Sequence, residues 1–561
     1  MKIKNRLFIV LTLLISLAFI VAACGGGDDL EDAMEDEKEG TEEEAEEEEE
    51  EEEEEEASGE MIEGGNVTLG IISDPVMFLP THLNDTASGD IVDVMFSSLL
   101  QTDEEIDLQP DVAEDYEISD DGLTYTFYLR DGVTFHDGEP LTAEDVEFTY
   151  NIFIDEDYTG PRAGTFINLD EVVAVDEHTV EFHLSEVDAR FITAMTYGIL
   201  PKHILGDVPA EELEEHDFIS NPIGSGPFKF DEWVDGQYVS LTAFDDYYEG
   251  RPHLDSLTLK IVGDQNALMA QIEAGDVDFG GVPADNYPTA EGWEEDGLVK
   301  LDSTLGFQYN YLGFNLRHDM FKDKETRQAI AHALDRQLII DELAHGQGEV
   351  AHGPVSPLSW AYPDEMPEFE YDVEKAKELL AEAGWEEGAD GILERDGERF
   401  EFTIKTNSGN TLREDLAVIV QSMLKEVGIE VKAEYIEWGA FLEQTEAPNF
   451  DFDMIILGWA LGTDPDPRGI WHSSEIEQGL NNIGFDNEEV DKLIEESEKI
   501  VDQDERAEAL HEIFEIIAEE QPYVFLYYPT RTVAMPTNLE GFTNHPRVPY
   551  YKTHEWHYVE E

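Results

Sequence analysis

Three observations predict a mixed α/β fold of two or three domains for this chain of 561 residues. Segments that alternate with period two are interspersed with segments of helical period over most of the chain. No short internal repeat recurs, which argues against a solenoid or propeller. A single cysteine, Cys24, leaves no disulfide to hold the folded part. Roughly 500 residues must then be stabilised by apolar cores, and that length is ample for two or three of them.

The elements follow in order. Residues 123–129, LTYTFYL, alternate and lead to Asp131-Gly132, so the pattern predicts a strand followed by a hairpin turn. Thr142-Ala143-Glu144-Asp145 reads as an acidic capping box opening a helix whose apolar positions are Val146, Phe148 and Ile152. Helical spacing predicts one helix over 327–344, stopped by Gly346, then one over 372–383 ended by Gly384 and one over 411–427 ended by Gly428. A strand over 429–435 comes next, and two long helices, 487–500 and 504–520, close the series.

The N-terminus is built differently. Lys2, Lys4 and Arg6 precede an uncharged stretch from Leu7 to Ala23, the order of a secretory signal peptide. That stretch sits at the lower limit of about 17 residues for a membrane span, and the residues at its end decide the reading. Val21-Ala22-Ala23-Cys24-Gly25 resembles the lipobox of bacterial lipoproteins, in which small residues admit the signal peptidase and the cysteine sulfur carries diacylglycerol. The resemblance implies that residues 1–23 are removed and that Cys24 is the lipidation site, its two acyl chains sufficing for stable anchoring. Residues 24–63 follow as an acidic tether. Between Asp28 and Glu63 there are 24 acidic residues against one lysine, a composition that repels itself, has little apolar surface to bury, and predicts a charged, disordered spacer.

The formal charge is −100, of which about −80 falls on residues 64–561. Nucleic acid is excluded as a partner, because a phosphate backbone would be repelled and no basic stripe with interleaved aromatics is present. Acid spread so widely suggests a salty or alkaline habitat, where screening weakens self-repulsion.

The usual catalytic signatures are missing or broken. No Gly-Lys dipeptide exists to form a Walker A loop. His511-Glu512 lacks a second histidine at i+4, and in His554-Glu555-Trp556-His557 the second histidine comes one residue early for a zinc protease. Gly224-Ser225-Gly226 lacks the glycine two residues before the serine that a nucleophile elbow requires. With 132 acids, paired carboxylates carry no information about acid–base catalysis. The chain is therefore expected not to be an enzyme and to need no cofactor or metal.

Several stretches together resemble one family: Asp85-Thr86-Ala87-Ser88-Gly89-Asp90-Ile91, Leu141-Thr142-Ala143-Glu144-Asp145-Val146, Asn221-Pro222-Ile223-Gly224-Ser225-Gly226-Pro227-Phe228, Asn310-Tyr311-Leu312-Gly313-Phe314-Asn315, residues 327–336 (RQAIAHALDR) and Gly458-Trp459. They are similar, in order and across residues 64–561, to extracellular solute-binding proteins of family 5, the dipeptide and oligopeptide receptors of ABC importers. The resemblance implies a two-lobed fold of the type II periplasmic-binding-protein kind, with an extra subdomain inserted in the first lobe. Laid on this chain, lobe one spans 64–311 with the insertion at about 99–220, lobe two spans 312–520, and 521–561 return to lobe one. Crossovers near 311–313 and 521–523 would let the lobes close on a ligand. A lipid on Cys24 would hold the receptor at the extracellular face of the membrane, beside its permease and ATPase, and the resemblance implies a monomer.

Peptide is the ligand class the resemblance implies first, held mainly through its main chain. Other members bind nickel chelates, haem, glutathione or oligosaccharides, and those classes stay open. His332, His345 and His352 show no metal-ligand spacing. For the pocket, Trp438 and Trp459 match positions where oligopeptide receptors place aromatic walls, with core packing as the alternative for each. Trp360, Ser88, Tyr287 and Tyr309 complete the candidate set. In these receptors an aspartate after the Gly-Trp pair meets the peptide's α-ammonium. That aspartate lies three residues after the tryptophan, where this chain has Gly462. Asp464, five residues after it, is the candidate here, with Asp466 as a substitute and a rigid Asp-Pro-Asp-Pro turn as the structural alternative.

Overall fold

The computed structural model describes residues 59–477 and 479–560. The signal segment, Cys24 and the acidic run up to residue 58 lie outside the described residues.

A mixed sheet of twelve strands forms the backbone of the molecule. Its order is Glu430–Ile436, Glu401–Asn407, Met454–Ala460, Gln308–Phe314, Tyr523–Met535, Phe279–Val282, Asn66–Ile71, Ser256–Ile261, Tyr238–Ala243 and Phe228–Val234, with Lys300–Leu305 and Gly348–Val350 also paired to Tyr523–Met535. The 13-residue strand Tyr523–Met535 is shared by two halves. Its first half runs antiparallel to Gln308–Phe314, with Tyr311 opposite Phe525 and Leu312 opposite Val524. Its second half runs antiparallel to Lys300–Leu305 and Phe279–Val282, with Ala534 opposite both Leu301 and Gly280.

The exchange of partners falls at Gly306 and Pro529, where the Gly306 amide donates to the Pro529 carbonyl at 2.8 Å. A Cβ on Gly306 would stand 2.9 Å from that oxygen, and Pro529 has no N–H to leave unpaired where the ladder changes hands. Through the expected crossovers, 311–313 and 521–523, strand Gln308–Phe314 runs unbroken and Tyr523–Met535 has already begun to pair.

Each half packs its own core. On one side Val67, Leu69, Val239, Leu241, Leu257 and Leu259 alternate inward from neighbouring strands onto Phe78, Leu79 and Trp556. On the other, Ile404 and Ile456 meet Leu416, Val420 and Leu424 of helix Thr411–Glu426, and a second cluster gathers Tyr309, Tyr311, Trp471, Leu510 and Phe514. A separate antiparallel sheet, Ala113–Ile118, Thr124–Leu129, Thr179–Leu184 and Leu169–Asp176, carries helix Ala143–Phe153 and buries Phe127, Tyr150, Phe166 and Phe182.

The capping box is formed: the Thr142 backbone N–H donates to Asp145 Oδ2 at 2.9 Å, and the other oxygen of Asp145 accepts from the Lys202 backbone at 2.9 Å. Two local expectations are corrected. Strand Thr124–Leu129 makes no hairpin through Asp131-Gly132, because both its edges are taken by Ala113–Ile118 and Thr179–Leu184. The helix expected over 327–344 is two, Lys324–His332 and Arg336–Leu343. Asp335 ends the run between them by accepting from the Leu338 amide at 3.0 Å, a cap that starts a new helix axis.

Candidate functional site

A cavity of about 860 Å³ is lined by several separate stretches of chain, four of which supply most of its polar wall. Helix Thr86–Met95 contributes Gly89, Asp90 and Asp93. The 3₁₀ turn Phe191–Thr196, packed on the separate antiparallel sheet, contributes Thr193, Ala194 and Thr196. The loop after strand Met454–Ala460 brings Gly462, Thr463 and Asp464 from the other half, and the C-terminal segment supplies Arg547, Tyr550 and Tyr551.

Local chemistry fixes these walls. Asp85 caps helix Thr86–Met95 by accepting from the Ser88 amide at 2.8 Å. The Ser88 hydroxyl, fully buried, accepts from the Val76 amide at 2.8 Å and ties the preceding loop to the first turn. The helix ends against the Asn221–Phe228 segment: the Gly226 amide donates to the Met95 carbonyl at 2.9 Å, and a Cβ on Gly224 would stand only 1.9 Å from that carbonyl. These glycines are required for backbone to touch backbone.

The cavity is electrostatically mixed. Burial, reinforced by the neighbouring Asp93 charge, pushes the Asp90 carboxyl up to about 7, against the pull of Arg531. Asp93 is open to the cavity but enclosed by protein around it, and this raises it to about 6, with Arg547 opposing. Asp111 is raised to about 6 by burial, although the Tyr248 hydroxyl and the Ser98 amide donate to it. Arg547 is lowered by burial and donates to the Leu461 carbonyl of the other half at 3.1 Å. Such a cavity offers both signs of charge and aromatic surface at Tyr550 and Tyr551, as a site for a zwitterionic or polar chain requires.

Of the residues expected from sequence, Asp464 lines this cavity. Its two oxygens accept from Arg506 at 2.5 and 2.8 Å, and both side chains are buried. Burial raises the Asp464 carboxyl while Arg506 pulls it down. Asp466 accepts from Arg190 at 3.0 Å and from the Arg468 amide at 3.0 Å. The remaining candidates do not line the cavity. Trp459 stacks parallel to Tyr311 at 6.2 Å, and its indole N–H donates to the Tyr523 hydroxyl at 3.4 Å. Tyr309 is buried in the same cluster. Trp360 lies under the Arg506 guanidinium at 5.7 Å, which places it one side chain behind Asp464. Trp438, 48% exposed, stacks on Phe441 at the start of its own helix. Tyr287 opens helix Tyr287–Glu295 and packs with the Leu268 and Trp293 cluster. Ser88 is the buried tie described above.

Sequence reasoning missed Asp90, Asp93, Arg547 and Tyr550. The available signals were the place of Asp90 in the Asp85–Ile91 stretch and its i, i+3 spacing from Asp93 on a capped helix; nothing local links that helix to residues 547–551, which reach it only through the fold.

The likeness to known proteins is extensive. The family model of bacterial extracellular solute-binding proteins, family 5, middle region, matches residues 107–478. Over 562 aligned residues the chain is 43% identical to the oligopeptide-binding protein AppA of Bacillus subtilis, covering 99% of each. The structure of the oligopeptide-binding protein AppA from Bacillus subtilis in complex with a nonapeptide aligns with 90% of this chain and 100% of its own, at 46% identity and a TM-score of 0.71. The ABC transporter substrate binding protein CtaP from Listeria monocytogenes aligns with 89% of this chain and 100% of its own, at 29% identity and a TM-score of 0.80. With two half-sheets joined by one shared strand, a cavity walled by both, and a family match that runs through the separate four-stranded sheet and into the second half, the chain belongs to the bacterial extracellular solute-binding proteins of family 5.

Proposed function

We propose that this chain is the ligand-capturing component of an ABC importer, that its ligands are peptides, and that it binds them without transforming them. The observation that carries the reading is full-length identity of 43% to a relative named for oligopeptide binding, joined to a cavity large enough, at about 860 Å³, for a short chain. The acids Asp90 and Asp93 and the base Arg547 suit the charged ends and polar main chain of a peptide. The lobes are assigned as 64–311 with an insertion near 99–220, 312–520, and 521–561 returning to the first. Their relative motion is assigned to 306–313 and 521–529, the stretches that run from the expected crossovers to the point where the sheet changes partners.

Cys24 is assigned the lipid that keeps the protein at the outer face of the membrane. Replacing Cys24→Ser should release the full chain into the medium with its peptide affinity unchanged by calorimetry. Retention of the variant in the membrane fraction with its signal segment attached would contradict the anchor. Failure of the released protein to bind any member of a defined oligopeptide pool would contradict the ligand class.

A further inference from the structure

Asp188, Ala189 and Arg190 lead directly into the turn Phe191–Thr196, which lines the cavity from the inserted part. Opposite them stand Asp466, two residues beyond the cavity-lining Asp464, and Glu498, at the end of helix Glu488–Ser497. Both belong to the half that packs on Trp471, Val490 and Ile494. Arg190 lies between the two groups. Its Nε and Nη2 donate to the two oxygens of Asp188 at 2.8 and 3.0 Å, so its planar fork is held from its own side. The remaining nitrogen, Nη1, donates across the gap to Asp466 Oδ2 at 3.0 Å and lies 3.7 Å from Glu498 Oε1.

The receiving acids are fixed as well. Asp466 Oδ1 accepts from the Arg468 amide at 3.0 Å, and Glu498 is clasped by the Arg468 guanidinium, with Nη2 at 2.8 Å. A backbone bond from the Ala189 N–H to the Glu498 carbonyl, 3.0 Å, crosses at the same place. The side chains of Asp188, Asp466 and Glu498 are largely withdrawn from solvent, at 6, 21 and 17% exposure. Residues 64–561 carry about −80 of formal charge, a balance that opposes close approach of acidic walls, and a pre-oriented arginine at the rim supplies local attraction where they meet.

We propose that Arg190 is a positioning residue that clasps the inserted part to the second lobe through Asp466 and Glu498 and so sets how far the binding cavity stands open. The inference rests on the two-lobed receptor reading, and its test needs no ligand. In the full chain carrying Cys24→Ser, spin labels are placed at Val175→Cys on the inserted sheet and Val418→Cys on helix Thr411–Glu426, both 53% exposed, and the distribution of distances between them is measured. With Arg190 and Asp466 intact a single short population dominates. Asp466→Ala removes the cross-cleft acceptor while leaving the Asp188–Arg190 fork in place, and Arg190→Ala removes the donor; either should raise the long-distance population about tenfold, which corresponds to about 1.4 kcal/mol. Distributions in both variants that superimpose on the parent's overturn the clasp, whatever happens to the melting temperature, because a role in folding alone would move Tm and not the distance. If the distances respond and no peptide binds, the ligand reading fails and the clasp stands.

Discussion

Asp464 and Arg506 face each other as a bidentate pair with both side chains buried. The fork engages one lone pair on each oxygen of Asp464, and taking away the carboxylate charge would leave Arg506 without its ionic partner in a largely buried site. Asp464→Asn should therefore cost about 3–5 kcal/mol of folding stability, read from the shift of the denaturant midpoint, and should weaken free-amine and N-acetylated peptides alike. An unchanged midpoint, with loss confined to free-amine peptides, would return Asp464 to the ammonium role that its place after Gly458-Trp459 suggests. Asp90 makes a second case. Its carboxyl stands near 7 in the folded state, above the unfolded value of about 3.9, so between those values the folded chain holds the extra proton and stability falls as pH rises. Asp90→Asn removes that loss. The variant should melt above the parent at pH 8 and converge with it toward pH 4; a difference independent of pH would show that Asp90 is not titrating in this window. The motif acids were visible in sequence, whereas their partners were not: Arg506 lies 42 residues from Asp464, and only packing reveals which carboxylates are already spoken for.

Element boundaries follow how local their causes are. Gly346, Gly384 and Gly428, each at positive φ, stop the chain where the sequence says helices end, since a left-handed residue needs no distant partner. Helix Thr411–Glu426 and strand Glu430–Ile436 accordingly fall within a residue or so of their expected spans. Asp335 was less legible, because the apolar spacing continues across it and a single helix over 327–344 satisfies the same pattern. The cap on Leu338 makes Asp335→Ala a clean test of the break: the variant should lose about 1 kcal/mol by chemical denaturation, and no change would mean that packing of Ile339 and Ile340 alone sets the second axis. Strand Thr124–Leu129 marks the limit of local reading. Its alternation was plain, but its partners lie before it at Ala113–Ile118 and some fifty residues later at Thr179–Leu184, so the turn after it carried no pairing information.

At the scale of the molecule, the α/β class followed from periodicity, and the two lobes followed from the resemblance of scattered motifs. The cavity could not be foreseen in the same way. Most of its polar wall comes from residues near 90, 195, 463 and 550, brought together by a strand that serves two half-sheets, and Trp459, matched in sequence to an aromatic wall, packs partly buried on the cluster that supports that strand. The central claim is that this cavity captures peptides. Native mass spectrometry of the protein purified from peptide-rich medium decides the matter: the expected result is a ladder of bound masses spaced by amino-acid residues, which dissociates when the protein is unfolded, whereas a single bound species with the mass of an oligosaccharide or a metal chelate would overturn it.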